Sequence, residues 1–575
     1  FYNDGTITVQ GNNAVAISGG ITGYAANLVN SGTINVGTEV GKTNGTNGTN
    51  LVGIKGNGVN TTINNAADGV INIYADSSYA FGGTTKQIIN NGEVNLRCDT
   101  GCAISAPGTV GTITTGTVVD LTVPASKVAP TQGSVPKAPA DTTLVLQNYV
   151  VGTNADGSAG SLTASNMMLD SVQIDTGFTA GTAAKTGTFD NVFKGSDIQG
   201  AENIQSDTVV WKAQGQTDAS GNVDVTMTKN SYQDVADASV SNVAGALEAG
   251  YTNNALYQSL NLKTVADVTH AIKQISGVNA TSAFNEARVL SNRFSMLADS
   301  AVVTASGLGF NVVAKGDQRA ELGNNTRYDM MALSKAFSLS PDQNMTLKYG
   351  IARLDGNGDV KNGGDNGLTG GYSQFFGLEH SLALNENYSL NTALRYDNQQ
   401  LDSSRSIQYG GVNEVADSSN SQQYMELKTG VGRGFALSDT LSFKPSVGMK
   451  LRHTVEGGVN ETGANDFNLN MGSSTESAVD AVIGMQLDYA GQNGWSASAK
   501  LEGGPNLSYS KSQHSAELQG AAGQRFSVDD GQKGGGVNGL AQIGVHYNQG
   551  NTTMGLDAYN WREDSASDKG LNMNV

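Results

Sequence analysis

Near its start the chain repeats one short pattern: a Gly, any residue, a β-branched residue, Thr or Asn, then an aliphatic residue. It occurs as Gly5-Thr6-Ile7-Thr8-Val9, Gly32-Thr33-Ile34-Asn35-Val36, Gly69-Val70-Ile71-Asn72-Ile73 and Gly92-Glu93-Val94-Asn95-Leu96, with an Asn one to four residues before each Gly. The copies start 27, 37 and 23 residues apart, as expected when loops of different length leave a common rung. Lesser alternating runs, Ala14-Val15-Ala16-Ile17 and Leu51-Val52-Gly53-Ile54, lie between them. Alternation turns the aliphatic side chains to one face of a strand. A right-handed parallel β-helix accounts for the pattern: each coil buries an aliphatic row, Gly and Asn make the turns, and no coil is stable without its neighbours. A β-sandwich with similar Gly-rich turns is the alternative.

Four prolines, Pro124, Pro130, Pro136 and Pro139, interrupt the pattern and predict a surface loop over 124–141. Strands resume at Thr143-Leu144-Val145-Leu146, and Val209-Val210-Trp211-Lys212 through Val223-Asp224-Val225-Thr226-Met227 predicts a closing hairpin around Gly221-Asn222. Such a cap covers the open end of a solenoid. From Asn253 to Ala301 the period changes to 3.6: Val268, Ile272 and Ile275 form one apolar face. After Ser276-Gly277, Phe284, Ala287, Leu290, Phe294 and Leu297 form another, with Ser282 as N-cap. A helix from Ser282 to Ser300 extends roughly 28 Å, close to the ~30 Å hydrocarbon core of a bilayer. Glu286, Arg288, Arg293 and Asp299 keep it from facing lipid; it suits the water-filled interior of a barrel. Standing alone it would read as an ordinary amphipathic helix.

The remainder alternates like outer-membrane strands of about 9–11 residues. Leu441, Phe443, Pro445, Val447, Met449 and Leu451 alternate with Ser442, Lys444, Ser446, Gly448, Lys450 and Arg452. The stretches Met345–Ala352, Trp495–Glu502 and Ala541–Asn548 behave likewise. Lysines and arginines on one strand face fit a wet lumen better than a soluble core. About twelve strands follow Val302, an even number as bacterial barrels have. Tyr388, Tyr396, Tyr489, Trp495, Tyr559 and Trp561 are expected in interfacial girdles, and Ser403 to Asn420 and Glu456 to Thr475 as extracellular loops. The expected architecture is therefore all-β with a short α-helical linker: β-helical passenger at 1–155, its capped end at 156–252, the linker at 253–301, and a 12-stranded antiparallel transmembrane β-barrel at 302–575.

Composition agrees. Gly contributes 74 of 575 residues and Pro 8, with 38% hydrophobic and only 15% charged, which favours short strands and tight turns. The net charge of −18 argues against nucleic acid, which needs a basic face, and serves solubility. No apolar run is long enough for a transmembrane helix. Phe1 opens directly into a repeat, so the chain is read as a piece of a longer one. Cys98 and Cys102, in Arg-Cys-Asp-Thr-Gly-Cys, have no further Cys or His within residues 1–252; a small disulfide fits better than zinc and implies an oxidising compartment.

Together these segments resemble the type V autotransporter family. The stretch from Asn253 through Ile275-Ser276-Gly277 to Arg293-Phe294 is similar to that family's linker, whose Leu-Ser-Gly-like triplet precedes a pore helix. The last seven residues, Lys569 to Val575, are similar to its outer-membrane assembly signal, with Gly570, Met573 and Val575 in the marked positions; the family usually ends in Phe or Trp. Trp211 through Gly221 to Tyr232 resembles the autochaperone region that starts passenger folding. The resemblance implies an outer-membrane monomer inserted from the periplasm by the barrel assembly machinery with periplasmic chaperones. Its passenger would be displayed outside the cell toward a host-cell or bacterial surface ligand.

Enzymatic chemistry is not expected. All five histidines (His270, His380, His453, His514, His546) follow residue 252, leaving the exported portion without the usual base of a nucleophile. Nor is a cofactor or metal expected: Asp355-Gly356-Asn357-Gly358-Asp359 resembles part of a calcium loop but lacks its distal Glu, and reads as a turn. Asn253-Asn254 resembles a self-cleavage pair of some relatives, but turns also favour Asn. The leading expectation is a secretion anchor displaying an adhesive or biofilm-forming solenoid with a role in virulence. The alternatives are a translocator for a protease or esterase lying before Phe1, and an outer-membrane solute channel.

Overall fold

The computed structural model describes residues 1–120, 144–146, 149–163, 166–301, 303–313, 326–356, 367–550 and 552–574. The proline-rich stretch 124–141, residues 357–359 of the Asp/Asn/Gly run and Val575 lie outside the described residues. The chain forms two compact units: Phe1–Asp237 with Tyr251–Val268, and Ala238–Gly250 with Thr269–Val575.

In the first unit the four Gly-led segments lie side by side. Thr6–Val9, Thr33–Val36 and Val70–Ile73 pair in parallel, and the last pairs with the far end of the strand Tyr79–Leu96. Ile7, Ile34, Ile71 and Val94 thus share one column, the last three with no exposure. A second parallel row joins Ala26–Asn30, Thr61–Asn65 and the middle of Tyr79–Leu96. The lesser runs of the sequence form a third, aligning Ile17, Ile54 and Phe81.

The asparagines before each Gly form a column of their own. Asn3 Nδ2 donates to Asn30 Oδ1 (2.7 Å), Asn30 Nδ2 to Asn65 Oδ1 (2.7 Å) and Asn65 Nδ2 to Asn90 Oδ1 (2.8 Å), with Asn30, Asn65 and Asn90 fully buried. The neighbouring glycines are needed because the paired segments touch there: a Cβ on Gly32 would lie 2.1 Å from Gly5 O, and one on Gly92 2.2 Å from Gly69 O. Asn65→Leu strands the amide of Asn30 and the carbonyl oxygen of Asn90, so it should destabilise this unit by about 2–3 kcal/mol. A lower urea midpoint followed by Trp211 fluorescence would register the loss.

Parallel pairing continues through Val110–Asp120, Tyr149–Val151, Val172–Ile174 and Ile204–Ser206. The strand expected near residue 144 is Leu144–Leu146, in a separate parallel sheet with Asn166–Leu169 and Asp197–Gln199. The direction then reverses: Trp211–Thr217 and Val223–Lys229 form the predicted hairpin, the latter also lying antiparallel to Thr186–Lys194. Asp218 Oδ1 closes its turn by accepting from the backbone N–H groups of Ser220 and Asn222.

Asp175 and Asp207 follow two strands paired in parallel, Val172–Ile174 and Ile204–Ser206. Burial, with Asp175 adding to it and Lys263 opposing, pushes the Asp207 carboxyl from 3.8 up to about 6. The folded unit therefore holds this proton more tightly than the unfolded chain. The associated stability is present below about pH 4 and lost as the pH rises through about 6. Asp207→Asn should add about 1–2 kcal/mol at neutral pH, allowing for solvent screening, and flatten the melting temperature between pH 4 and 6.

In the linker, Val268, Ile272 and Ile275 of helix α1 (Val265–Ile275) are fully buried. A short 3₁₀ turn, Val278–Thr281, leads into helix α2 (Ser282–Asp299). The cap differs from expectation. Thr281 holds the N-cap position, but its hydroxyl donates back to Val278 O at 2.7 Å and does not cap the helix, while Ser282 is already helical and donates to Asn279 O at 2.9 Å. The 3₁₀ turn winds straight into the helix, so no extended residue is available to cap it.

Beyond α2 an antiparallel sheet runs in one path of twelve strands among the described residues. They are β1 (Leu308–Val313), β2 (Thr326–Ser340), β3 (Gln343–Gly356), β4 (Gly367–Ala383), β5 (Tyr388–Tyr409), β6 (Val412–Arg433), β7 (Leu441–Glu456), β8 (Ser474–Ala490), β9 (Trp495–Lys511), β10 (Val537–Gln549), β11 (Thr552–Glu563) and β12 (Ala566–Asn574). A two-residue strand, Phe435–Ala436, pairs with β7 off this path. The sheet curls like a barrel around α2, which packs on strands from both of its ends.

Both expected loops are structured. Ser403 to Asn420 is the outer part of the β5–β6 hairpin, in register from Tyr388↔Arg433 to Tyr409↔Val412. It holds because Ile407 and Tyr409 are buried and the fully buried Arg405 pairs with Glu461 at 2.8 Å. Within Glu456 to Thr475, Val459–Asn460 and Leu469–Met471 join His514–Leu518 and Phe526–Val528 in a four-stranded sheet. The reading of Tyr559 and Trp561 as girdle residues also fails: Tyr559 is buried and donates to Asp568 at 2.8 Å, and Trp561 lines the interior cavity. Tyr388, Tyr489 and Trp495 do stand exposed near strand ends.

Candidate functional site

The interior of the second unit is built around α2. Its apolar stripe, Ala283, Ala287, Leu290, Phe294 and Leu297, packs on Met330, Ala352, Leu354, Phe375 and Leu401 of the sheet, and Phe284 is buried beside the His514 ring. Phe294 stacks on Phe375 at 4.7 Å. Gly350 makes room for this stack, since a Cβ there would meet the Phe294 ring at 2.2 Å. The helix therefore does not stand free in water, as its charges suggested; it is packed on one wall. On its other side lies a cavity of about 600 Å³ bordered by Ser295, Asp299, Lys428, Lys444, Lys500 and Glu502.

Both arginines of α2 are paired. Arg288, only 8% exposed, donates from Nη1 to Glu476 Oε1 at 2.9 Å and from Nη2 to Glu456 Oε1 at 3.2 Å. Arg293 grips Asp568 with two bonds, Nε at 3.0 Å and Nη2 at 3.1 Å, and reaches Tyr328 Oη at 3.2 Å. Ser291 donates to Asp397, which Arg395 also holds. Behind Arg288 stands Arg452, in contact with Asp480, Glu563 and Asp564. Sequence reasoning identified the helix cations but not their partners Glu456, Glu476 and Asp568. These lie on inward-facing strand positions, so strand alternation was the signal that could have found them.

Glu456, His514 and Asp530 bring ligand-type atoms within 4.8 Å of one another. Lys511 already contacts Asp530 and stands 3.6 Å from Glu456, so a cation charge is in place.

The other singled-out residues are dispersed. Ser276 donates to Lys273 O at 2.8 Å, and Gly277 takes φ +80°, where a Cβ would meet Leu469 at 2.6 Å. Asn254 Oδ1 accepts from Tyr257 N as the N-cap of Ala255–Ser259. Trp211 is buried edge-on against Phe178 at 4.9 Å. Tyr232 is buried beneath the Lys229 ammonium, and Gly221 (φ +86°) sits in the open turn. Cys98 and Cys102 form a disulfide.

On β12, Met573 is 74% exposed on the outer face. Gly570 faces inward, where a Cβ would lie 2.9 Å from the Tyr559 ring. Gly570→Val should push that ring off Asp568 at a cost of about 1–3 kcal/mol, seen as a lower melting temperature of the folded, unboiled form on gels.

The outer face of the sheet is banded. Leu347, Leu378, Leu394, Leu427, Leu451 and Val479 lie opposite one another in one row across the sheet. Two residues along each strand the row becomes Tyr349, Phe376, Tyr396, Met425, His453 and Ser477; two further it becomes Ile351, Gln374, Asn398, Gln423, Val455 and Thr475. An aliphatic belt edged by aromatics and then polar residues is the pattern of a wall crossing from lipid into water.

Residues 314–558 match the autotransporter β-domain family; residues 1–101 match the BigA fourth domain and 148–231 the BigA beta sandwich domain. The chain is 63% identical over its whole length to BigA of Salmonella typhimurium strain LT2, whose name describes a surface-exposed virulence protein. It spans about 30% of the length of that relative. Among solved structures it is similar to the translocator domain of NalP from Neisseria meningitidis (TM-score 0.36, 13% identity, 52% of this chain and 97% of that one). It is also similar to the transport unit of AIDA-I from Escherichia coli (TM-score 0.25, 8% identity, 49% and 95%). The paired helix, the banded wall and the sequence matches agree: residues 314–558 belong to the autotransporter β-domain family, with the barrel-like sheet in the outer membrane and the part upstream of it on the cell surface.

Proposed function

We propose that the upstream unit is a right-handed parallel β-helix acting as an adhesive, biofilm-forming surface, and that β1–β12 close into a twelve-stranded barrel that anchors it. The observation that carries the adhesive reading is a second amide ladder, buried at Asn95 and reaching the surface at Asn72 and Asn35. Asn95 Nδ2 donates to Asn72 Oδ1 (3.0 Å), Asn72 Nδ2 to Asn35 Oδ1 (3.0 Å) and Asn35 Nδ2 to Thr8 Oγ1 (3.2 Å). Asn35 and Asn72 are partly exposed. A regular column of groups that both donate and accept suits weak contacts repeated along a polar ligand. The ligand is a host-cell or bacterial surface component, the anchor is inserted by the barrel assembly machinery with periplasmic chaperones, and the unit acts as a monomer without catalysis.

The test displays the chain on a Gram-negative host behind a secretory signal. Cell aggregation and attachment to epithelial cells are compared with those of Asn35→Leu/Asn72→Leu. Loss of attachment with the passenger still released by external protease supports adhesion; unchanged attachment refutes it. Hydrolysis of peptide or ester substrates by the full-length protein would favour the enzyme-carrier reading instead.

A further inference from the structure

We infer that the outer wall carries a binding site for a lipid with an anionic phosphate headgroup. The apolar and aromatic rows enclose a groove of about 1000 Å³ on the sheet's outer face, spanning β3 to β9. One end is apolar: Tyr349 and Phe376 meet at 5.2 Å, Phe376 and Tyr396 at 6.3 Å, above Leu394 and Leu427. At the other end the belt is broken by polar side chains. His453 Nδ1 lies 2.8 Å from Ser477 Oγ, and Ser510 stands opposite Ser477 in the same row. Ser508 joins them because β9 carries one extra residue, Leu507, between the partners of Val479 and Asp480. Such bulges re-aim side chains.

Four polar groups on a lipid-facing wall cost free energy against plain hydrocarbon. An imidazole and three hydroxyls supply hydrogen-bond donors, and the outward positions beside them (Met425, Leu451, Val455, Thr475, Val479) bring no carboxylate. Phosphate oxygens match that donor set, and acyl chains match the leucines and stacked rings below. A cationic choline would find no acceptor charge there. The occupant is thus a membrane lipid with phosphate against His453 and chains along Leu394, Leu427 and Leu451.

The test purifies the full chain folded in detergent, incubates it with phosphatidylglycerol or phosphatidylcholine of identical acyl chains, and reads retained lipid by native mass spectrometry. Phosphatidylglycerol should be held about tenfold more tightly, the preference worth one charge-assisted contact. His453→Leu/Ser477→Ala should abolish the preference while the unboiled mobility shift remains. If that variant fails to fold, Ser508→Ala/Ser510→Ala should weaken the preference several-fold. Equal retention of the two lipids, or an undiminished preference in a folded variant, overturns the site.

Discussion

Replacing Arg288 by Leu should lower the stability of the second unit by about 3–5 kcal/mol, the usual cost of breaking a buried ion pair from one side. The guanidinium is the shared partner of Glu456 and Glu476, both almost fully buried. Its removal leaves two carboxylates for Lys511, Arg452, His514 and the Tyr509 hydroxyl to compensate. Most of the loss is therefore a desolvation cost, not a lost attraction. Two companions separate these terms. Arg288→Lys keeps the charge but loses the fork that serves two acids, and should fall between. Arg288→Leu with Glu476→Gln removes an orphaned charge and should recover part of the loss. The melting temperature of the unboiled gel species reports all three. A single variant as stable as the parent would mean that water already screens the site. The same variants should admit more of a small, normally excluded antibiotic, because α2 would be less firmly held beside the cavity.

Trp211→Ala should be the most damaging single change in the first unit, by about 3–5 kcal/mol. The ring is buried edge-on against Phe178, which itself meets Phe189 at 5.3 Å. The truncation opens a void where the parallel rows give way to the closing hairpin. Trp211→Phe should be nearly neutral, because the indole N–H has no hydrogen-bond partner among the described residues to lose. Limited proteolysis of displayed protein distinguishes them: the Ala variant should be degraded through the first unit and the Phe variant should resist. Equal resistance of both would show that the hairpin contributes little to the fold above it.

Much of this architecture was legible from periodicity. The Gly-led segments fall in one column because each must bury one β-branched side chain, and the switch to a 3.6-residue period at Asn253 marked α1 and α2, although a further helix, Ser241–Ala249, lies before it. The strands of the sheet announced themselves where apolar and polar residues alternate, as in Leu441–Arg452. Illegibility began where burial depends on partners distant in sequence. Ser403–Asn420 is polar enough to read as a loop, yet Arg405 is buried because Glu461 and the carbonyls of Gln274 and Phe467 receive it. Tyr559 was placed in the girdle by type; its hydroxyl is turned inward by Asp568, and Gly570 clears the space for its ring. For α2, the apolar stripe was readable, but its tight seating was not, since the neutralising carboxylates lie 168 to 275 residues away.

The buried column from Asn3 to Asn90 has a consequence for how such genes change. Asn30 and Asn65 each present the same donor to one neighbour and the same acceptor to the other, so each Asn-led segment is a unit interchangeable with the next. An in-frame duplication or deletion running from one column asparagine to another restores the column whatever loop lies between. Recombination can therefore add or remove whole repeats of the displayed unit. The ion pairs around Arg288 and Arg293 allow no such shuffling, because each joins one particular strand to one particular turn of the helix. Length variation among natural alleles should accordingly collect upstream of the linker, with breakpoints at equivalent asparagines.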